Sequence, residues 1–244
     1  MAKFGKSYWR LAVMGAICLC SAASAQDYER PVAYPAIPKE AGAAAGFVPN
    51  GWLLETESQG DLNKDGTPDL LLVLRMNDPK NVVKDEYREL DTNPRMLVAA
   101  FADKAKKTYA LALADHTLIT RHTNPSMDPP FDEGAAIVNG TLQISLGLFM
   151  NAGGWYTSNI KFTFRHQDGC FKLIGYDSTV MKRNTGEVQS VSINYLTKKA
   201  RIGQGDMGED QEDVTWKTLT KKGLLCLEEV GDGLDFESEF RPFP

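Results

Sequence analysis

The stretch Ile160-Lys161-Phe162-Thr163-Phe164-Arg165-His166-Gln167-Asp168-Gly169-Cys170-Phe171-Lys172-Leu173-Ile174-Gly175-Tyr176 decides the fold class. Ile160, Phe162 and Phe164 alternate with Lys161 and Thr163, the period of a strand with one face in a core and the other in water. Asp168-Gly169 is a hairpin turn signal, and a second strand follows it at once. The same pattern extends outward. Asn139-Gly140 separates residues 135–138 from 141–149, and Asn184-Thr185-Gly186 separates 178–182 from 187–195. Leu142, Ile144, Leu146 and Leu148 alternate with polar or small residues, as do Tyr109, Leu111 and Leu113, and Val191, Ile193 and Tyr195. Three successive hairpins with no helix between them imply antiparallel β-structure. Residues 70–74 are continuously apolar, which predicts a central strand covered on both faces.

No sharp break in composition divides the chain. The expectation is one mainly β domain over residues 51–244, a meander of antiparallel hairpins forming a sandwich or an open barrel. Residues 26–50, with Pro31, Pro35, Pro38 and Pro49, read as an ordered leader packed on the body. Two short helices are expected, one over residues 39–46 and one inserted over 81–90.

Residues 1–25 have the form of a secretory signal. A basic segment ends at Arg10, an apolar run covers 11–20, and Ala23-Ser24-Ala25 precedes Gln26. The apolar run is shorter than the roughly 20 residues a spanning helix needs, and no other run is long and apolar enough. The expected location is therefore periplasmic or secreted, with no integral membrane segment after cleavage. Cleavage removes Lys3, Lys6 and Arg10 and leaves 24 basic against 32 acidic side chains. That balance excludes an ordinary nucleic-acid binder, which needs a basic surplus to displace phosphate counterions. Export leaves Cys170 and Cys226 in an oxidising compartment, which favours a disulfide between them. The other reading is two buried thiols acting as small hydrophobes, since each lies in an apolar run.

The sharpest chemical motif is Asp61-Leu62-Asn63-Lys64-Asp65-Gly66-Thr67-Pro68-Asp69, which has the D-x-[DN]-x-[DN]-G spacing of a calcium loop. Asp61, Asn63 and Asp65 would supply side-chain oxygens, Thr67 a backbone carbonyl, and Asp69 a carboxylate directly or through water. Gly66 permits the tight turn that wraps them round one ion. An EF-hand would place Glu at the twelfth position, where this chain has Leu72 at the start of an apolar strand. The bland reading is an acidic hairpin loop.

With Gly60 before it and Leu70 after it, this loop resembles the calcium loop of FG-GAP and VCBS-type repeats, which joins two strands of a propeller blade. More broadly, residues 47–52, residues 171–176 and Asn194-Tyr195 resemble exported bacterial proteins that share the loop. The resemblance implies calcium at Asp61, Asn63, Asp65, Thr67 and Asp69. A propeller repeats its loop in every blade, and this chain carries it once.

Other patterns carry less. Gly203-Gln204-Gly205-Asp206-Met207-Gly208 matches G-x-G-x-x-G, but acids follow where a pyrophosphate would need positive potential. His116, His122 and His166 have no zinc spacing around them. Asp128, Asp132 and Glu133 could serve as a carboxylate pair for hydrolysis, or form a solvated loop. Trp155 and Tyr156 either offer ring faces to a partner or cap the core. The functional expectation is a calcium-binding, non-catalytic interaction protein of the bacterial periplasm, such as an inhibitor or immunity factor. Its partner would be another exported protein or a glycan. The alternative is a hydrolase of envelope polymer or glycan that uses the loop carboxylates.

Overall fold

The computed structural model describes residues 28–84, 89–131, 134–208, 212–220, 223–240 and 242. The expected signal over 1–25 lies outside them. Among the described residues the strands are β1 (Glu40–Ala41), β2 (Trp52–Gly60), β3 (Asp69–Met76), β4 (Val82–Lys84), β5 (Glu89–Asp91), β6 (Arg95–Asp103), β7 (Thr108–Asp115), β8 (Ala135–Val138), β9 (Thr141–Phe149), β10 (Tyr156–Gln167), β11 (Cys170–Lys182), β12 (Glu187–Asn194), β13 (Lys199–Asp206) and β14 (Asp213–Thr218). They form two open sheets, β1-β7-β6-β3-β2 and β14-β13-β12-β11-β10-β9-β8, and a small β4-β5 ribbon. In the larger sheet spatial order is chain order, a meander. Its hairpins close where expected. Asp168 and Gly169 have φ of 52° and 83°, and Asn139 and Gly140 have 50° and 71°. Two successive left-handed residues are what a primed hairpin turn demands, and Asp, Asn and Gly tolerate that region best.

The two sheets share one buried cluster. Leu71, Val73, Leu97 and Ala99 of the smaller sheet meet Leu142, Ile144, Leu146, Phe162, Phe164 and Leu173 of the larger. The alternate residues of β3, Leu70, Leu72 and Leu74, face the opposite way. They join Met96, Val98 and Ala100 against Ile37, Ala44 and Phe47 of the leader. The continuous apolar run of β3 thus has a cover on each face, as its sequence predicts. The apparent single stripe Tyr109, Leu111, Leu113 is divided. The register slips between Ala99 and Ala100, so that Ala99 pairs with Leu113 and Ala100 with Leu111. Leu113 then turns to the inter-sheet core, while Tyr109 and Leu111 turn to the leader.

Neither expected helix forms, and among the described residues no helix exceeds four residues. Over 39–46, Glu40–Ala41 pairs with β7 and Ala44–Phe47 makes a single 3-10 turn. Gly42 and Gly46 deprive this segment of an uninterrupted helical run. Gly46 is also held close, since a Cβ there would lie 2.7 Å from Ala41 Cβ. Over 81–90, a 3-10 turn at Pro79–Asn81 runs into the β4-β5 ribbon. The β-branched pair Val82-Val83 suits a strand better than a helix. Residues 85–88 of that expected helix lie outside the described ones. No described helix is long and apolar enough to cross a membrane.

The C-terminal segment closes the open end of the sandwich. Phe236 lies 5.5 Å from the Phe162 ring and 5.3 Å from Tyr176, and the Gly233 N–H donates to the Leu118 carbonyl at 3.0 Å. Only glycine fits there, because a Cβ would sit 2.4 Å from Leu146 Cδ1. Cys170 and Cys226 are disulfide-bonded with Cα atoms 5.9 Å apart, and the Leu173 N–H donates to the Leu225 carbonyl beside them at 2.8 Å. The bridge therefore pins the start of this segment to β11. Replacing both cysteines by alanine is expected to cost up to roughly 4 kcal/mol of stability in denaturant unfolding. Amide exchange over residues 223–240 should quicken more than in β3 or β6.

Candidate metal centre

The loop between β2 and β3 is organised from beneath by Asp69, which is fully buried. Its Oδ2 accepts the Leu62 N–H at 2.8 Å and the Asn63 N–H at 3.3 Å, and its Oδ1 accepts the Ala102 N–H from β6 at 2.9 Å. Burial raises the Asp69 pKa above its ordinary value, and the three amides act in the opposite sense. Leu62, also fully buried, drops into the inter-sheet core and anchors the loop as a plug. Lys64 (φ 65°) and Gly66 (φ 79°) take the left-handed conformations that fold the remainder back on itself.

Above that base the side-chain oxygens turn inward. Asp61 Oδ1 and Asn63 Oδ1 both accept the same Asp65 N–H, at 3.1 and 3.0 Å, and Asp61 Oδ2 accepts the Gly66 N–H at 2.9 Å. The Asp65 carboxylate accepts the Thr67 N–H at 2.7 Å and Asn63 Nδ2 at 3.1 Å. Hydrogen bonds from Thr67 and then Asn63 hold its carboxyl below the usual range, so it is charged at neutral pH. Both oxygens of each carboxylate and the Asn63 amide oxygen thus accept a donor from within the loop, and all of them gather round the same turn. Among the described residues no three His, Cys, Asp or Glu side chains gather as a metal cluster by themselves. A cation here would draw on Asn63 and a backbone carbonyl as well, an all-oxygen set of the kind that suits a hard ion.

The other expected site residues lie elsewhere. Trp155 is 65% exposed and Tyr156 40% exposed, at the β9–β10 end of the larger sheet. Arg183 braces that loop. Its N–H donates to the Trp155 carbonyl at 2.7 Å, its Nη1 donates to the Met150 carbonyl at 2.6 Å, and its guanidinium lies 4.5 Å from the Phe149 ring centroid. Asp128 accepts Asn151 Nδ2 at 2.8 Å at the rim of a cleft of about 380 Å³. Asp132 and Glu133 lie outside the described residues. The sequence gives no sign of this cleft. Arg95 binds Glu55 in two-point fashion at 2.6 and 2.8 Å, and Arg75 pairs with Asp91 at 2.5 Å, so the cleft's guanidiniums are already matched by carboxylates. Such pairs join residues up to 40 apart in sequence, beyond the reach of any local motif. His122 is buried and donates from Nε2 to the Met127 carbonyl at 2.7 Å, a structural role.

No protein family, no curated protein and no solved structure matches this chain. Asp69→Asn would leave at least one of its three backbone amide donors facing an NH₂ group. In chelator, where no ion contributes, it is expected to cost about 2–4 kcal/mol in denaturant unfolding. Asp61→Asn and Asp65→Asn, on the exposed side, should cost clearly less under the same conditions.

Proposed function

We propose that this chain is an exported interaction protein whose β2–β3 loop binds calcium and thereby fixes the edge of its sandwich. The observation that carries this reading is the convergence of Asp61 Oδ1 and Asn63 Oδ1 on one amide, with the Asp65 carboxylate bonded into the same turn. Asp61, Asn63, Asp65 and the Thr67 carbonyl would hold the ion, and the buried Asp69, whose two oxygens accept three backbone amides, would anchor the loop beneath it. The ion supplies positive charge that relieves carboxylate repulsion; the chain supplies a loop already anchored by Leu62 and Asp69. The likeness to FG-GAP and VCBS loops supports the same assignment.

Extracellular-type sites have dissociation constants near 10⁻⁴–10⁻³ M, so about 1 mM calcium should raise the melting temperature by roughly 1–6 °C. Magnesium at equal concentration should do less, because it demands smaller and stricter geometry. Asp65→Ala should abolish the calcium response; it also removes the acceptor of the Thr67 N–H, so its melting temperature with calcium is compared with its own value in chelator. A full response in that variant removes the metal from the reading.

Binding is assigned to the rings at the β9–β10 end, where Trp155 stands in solvent on a loop braced by Arg183. Rings so placed offer large contact area to a second exported protein or to the faces of a sugar. An inhibitor or immunity factor is the kind of periplasmic protein that fits. Affinity capture from an envelope extract with the wild-type chain, and with Trp155→Ala combined with Tyr156→Ala, tests this. The double variant should keep its melting temperature and its calcium response and lose the captured partner. Undiminished capture would move the binding surface elsewhere.

A further inference from the structure

An edge strand offers a row of unpaired amides and carbonyls unless something covers it. Of the four edges of the two main sheets, two are short strands and a third is covered at one end. β1 is two residues long. β8 and β2 lie against one another, with the Ile137 N–H donating to Ser58 Oγ at 3.0 Å and Gly60 so close that a Cβ would sit 2.6 Å from Ile137 Cγ2. β14 differs. All six of its residues are exposed, Val214 at 43% and Trp216 at 65%. Its ladder to β13 pairs Thr215 with Ile202 and Trp216 with Arg201, and the Leu219 N–H continues it to the Lys198 carbonyl at 2.9 Å. Counting back from that bond, antiparallel alternation turns the backbone groups of Asp213, Thr215 and Lys217 toward β13. Those of Val214, Trp216 and Thr218 then face the open edge.

We infer that β14 pairs with β14 of a second copy of this chain, antiparallel about a two-fold axis at Thr215. The strand is complementary to itself in this register. Reading Asp213-Val214-Thr215-Trp216-Lys217 against its own reverse sets acid opposite base and Val opposite Trp, with Thr215 facing Thr215 at the centre. Val214 and Trp216, whose backbone groups face the edge, become a hydrogen-bonded pair. Asp213 and Lys217 fall in the closer, non-hydrogen-bonded positions, where side chains interact most directly. Sliding by two residues sets Asp213 opposite Thr215 or Leu219 and loses both charge pairs. Within one copy, among the described residues, neither Asp213 nor Lys217 has an ion-pair partner; Lys217 lies over the Phe240 ring at 5.4 Å. On the other face the two Val214 and two Trp216 side chains form one apolar patch that a single copy leaves in water. The contact is isologous and closes at two copies, joining two seven-stranded sheets into one.

Sedimentation velocity of the exported chain over a concentration series tests the pairing. A monomer–dimer equilibrium is expected. Asp213→Lys and Lys217→Asp, each of which sets like charges opposite one another twice, should weaken it roughly tenfold or more. The double exchange should restore association to within a few-fold of wild type. Val214→Pro removes an edge-facing N–H and none of the bonds to β13, so it should abolish the dimer while the melting temperature holds. If that variant unfolds, the charge exchanges still decide. A monomer at every concentration, or a dimer indifferent to the single exchanges, overturns the proposal. A double exchange no better than the singles overturns the register.

Discussion

The structure depends on the two-sided burial of β3. Five consecutive apolar residues, Leu70 to Leu74, are each almost wholly out of water. Burying a leucine side chain is worth about 1.5–3 kcal/mol, so neither face of this strand can be left open without a large loss. One face is covered by the seven-stranded meander, and the other by the leader around Phe47. The Pro-rich leader is thus a third layer of the body. Its single 3-10 turn and the two-residue β1 are what remains of regular structure when a short segment must follow a sheet surface.

The candidate metal loop inherits its rigidity from the same strand. Asp69 is the first residue of β3 and sits at its buried end, with its carboxylate spread over amides from the loop and from β6. Leu62 reaches the inter-sheet core from the other end of the loop. The exposed oxygens of Asp61, Asn63 and Asp65 are therefore held between two buried anchors. A loop so held loses little conformational entropy when an ion binds, which is the physical advantage of pre-organisation.

The two sheets differ in how they meet solvent. The central strand of the smaller sheet is covered on both faces, while the larger sheet ends in β14, exposed along its whole length. Its far end is closed by the C-terminal segment, held at one point by the disulfide and at others by Phe236 and Gly233. The exposed Trp155 loop and the β14 edge both belong to the larger sheet.

The sequence by itself determined the hairpins and the two-faced strand, and it favoured the cysteine pair that the structure shows. Each depends on local chemistry: left-handed turn residues at Asp168-Gly169, an unbroken apolar run at 70–74, and two thiols each set in an apolar run. It also marked the loop residues, because oxygen-bearing side chains two apart in sequence are a local pattern. Tertiary structure decided the rest. The expected helices over 39–46 and 81–90 gave way because sheet pairing and β-branched preference outweighed weak helical periodicity in short segments. Asp69 became the buried clamp of the loop because β6 brings the Ala102 amide to it from 33 residues away. The Glu55–Arg95 pair, the slipped register that divides the Tyr109–Leu113 stripe, and the exposure of β14 all arise from which strand lies beside which. That choice is made by the whole core at once, and no single stretch of sequence carries it.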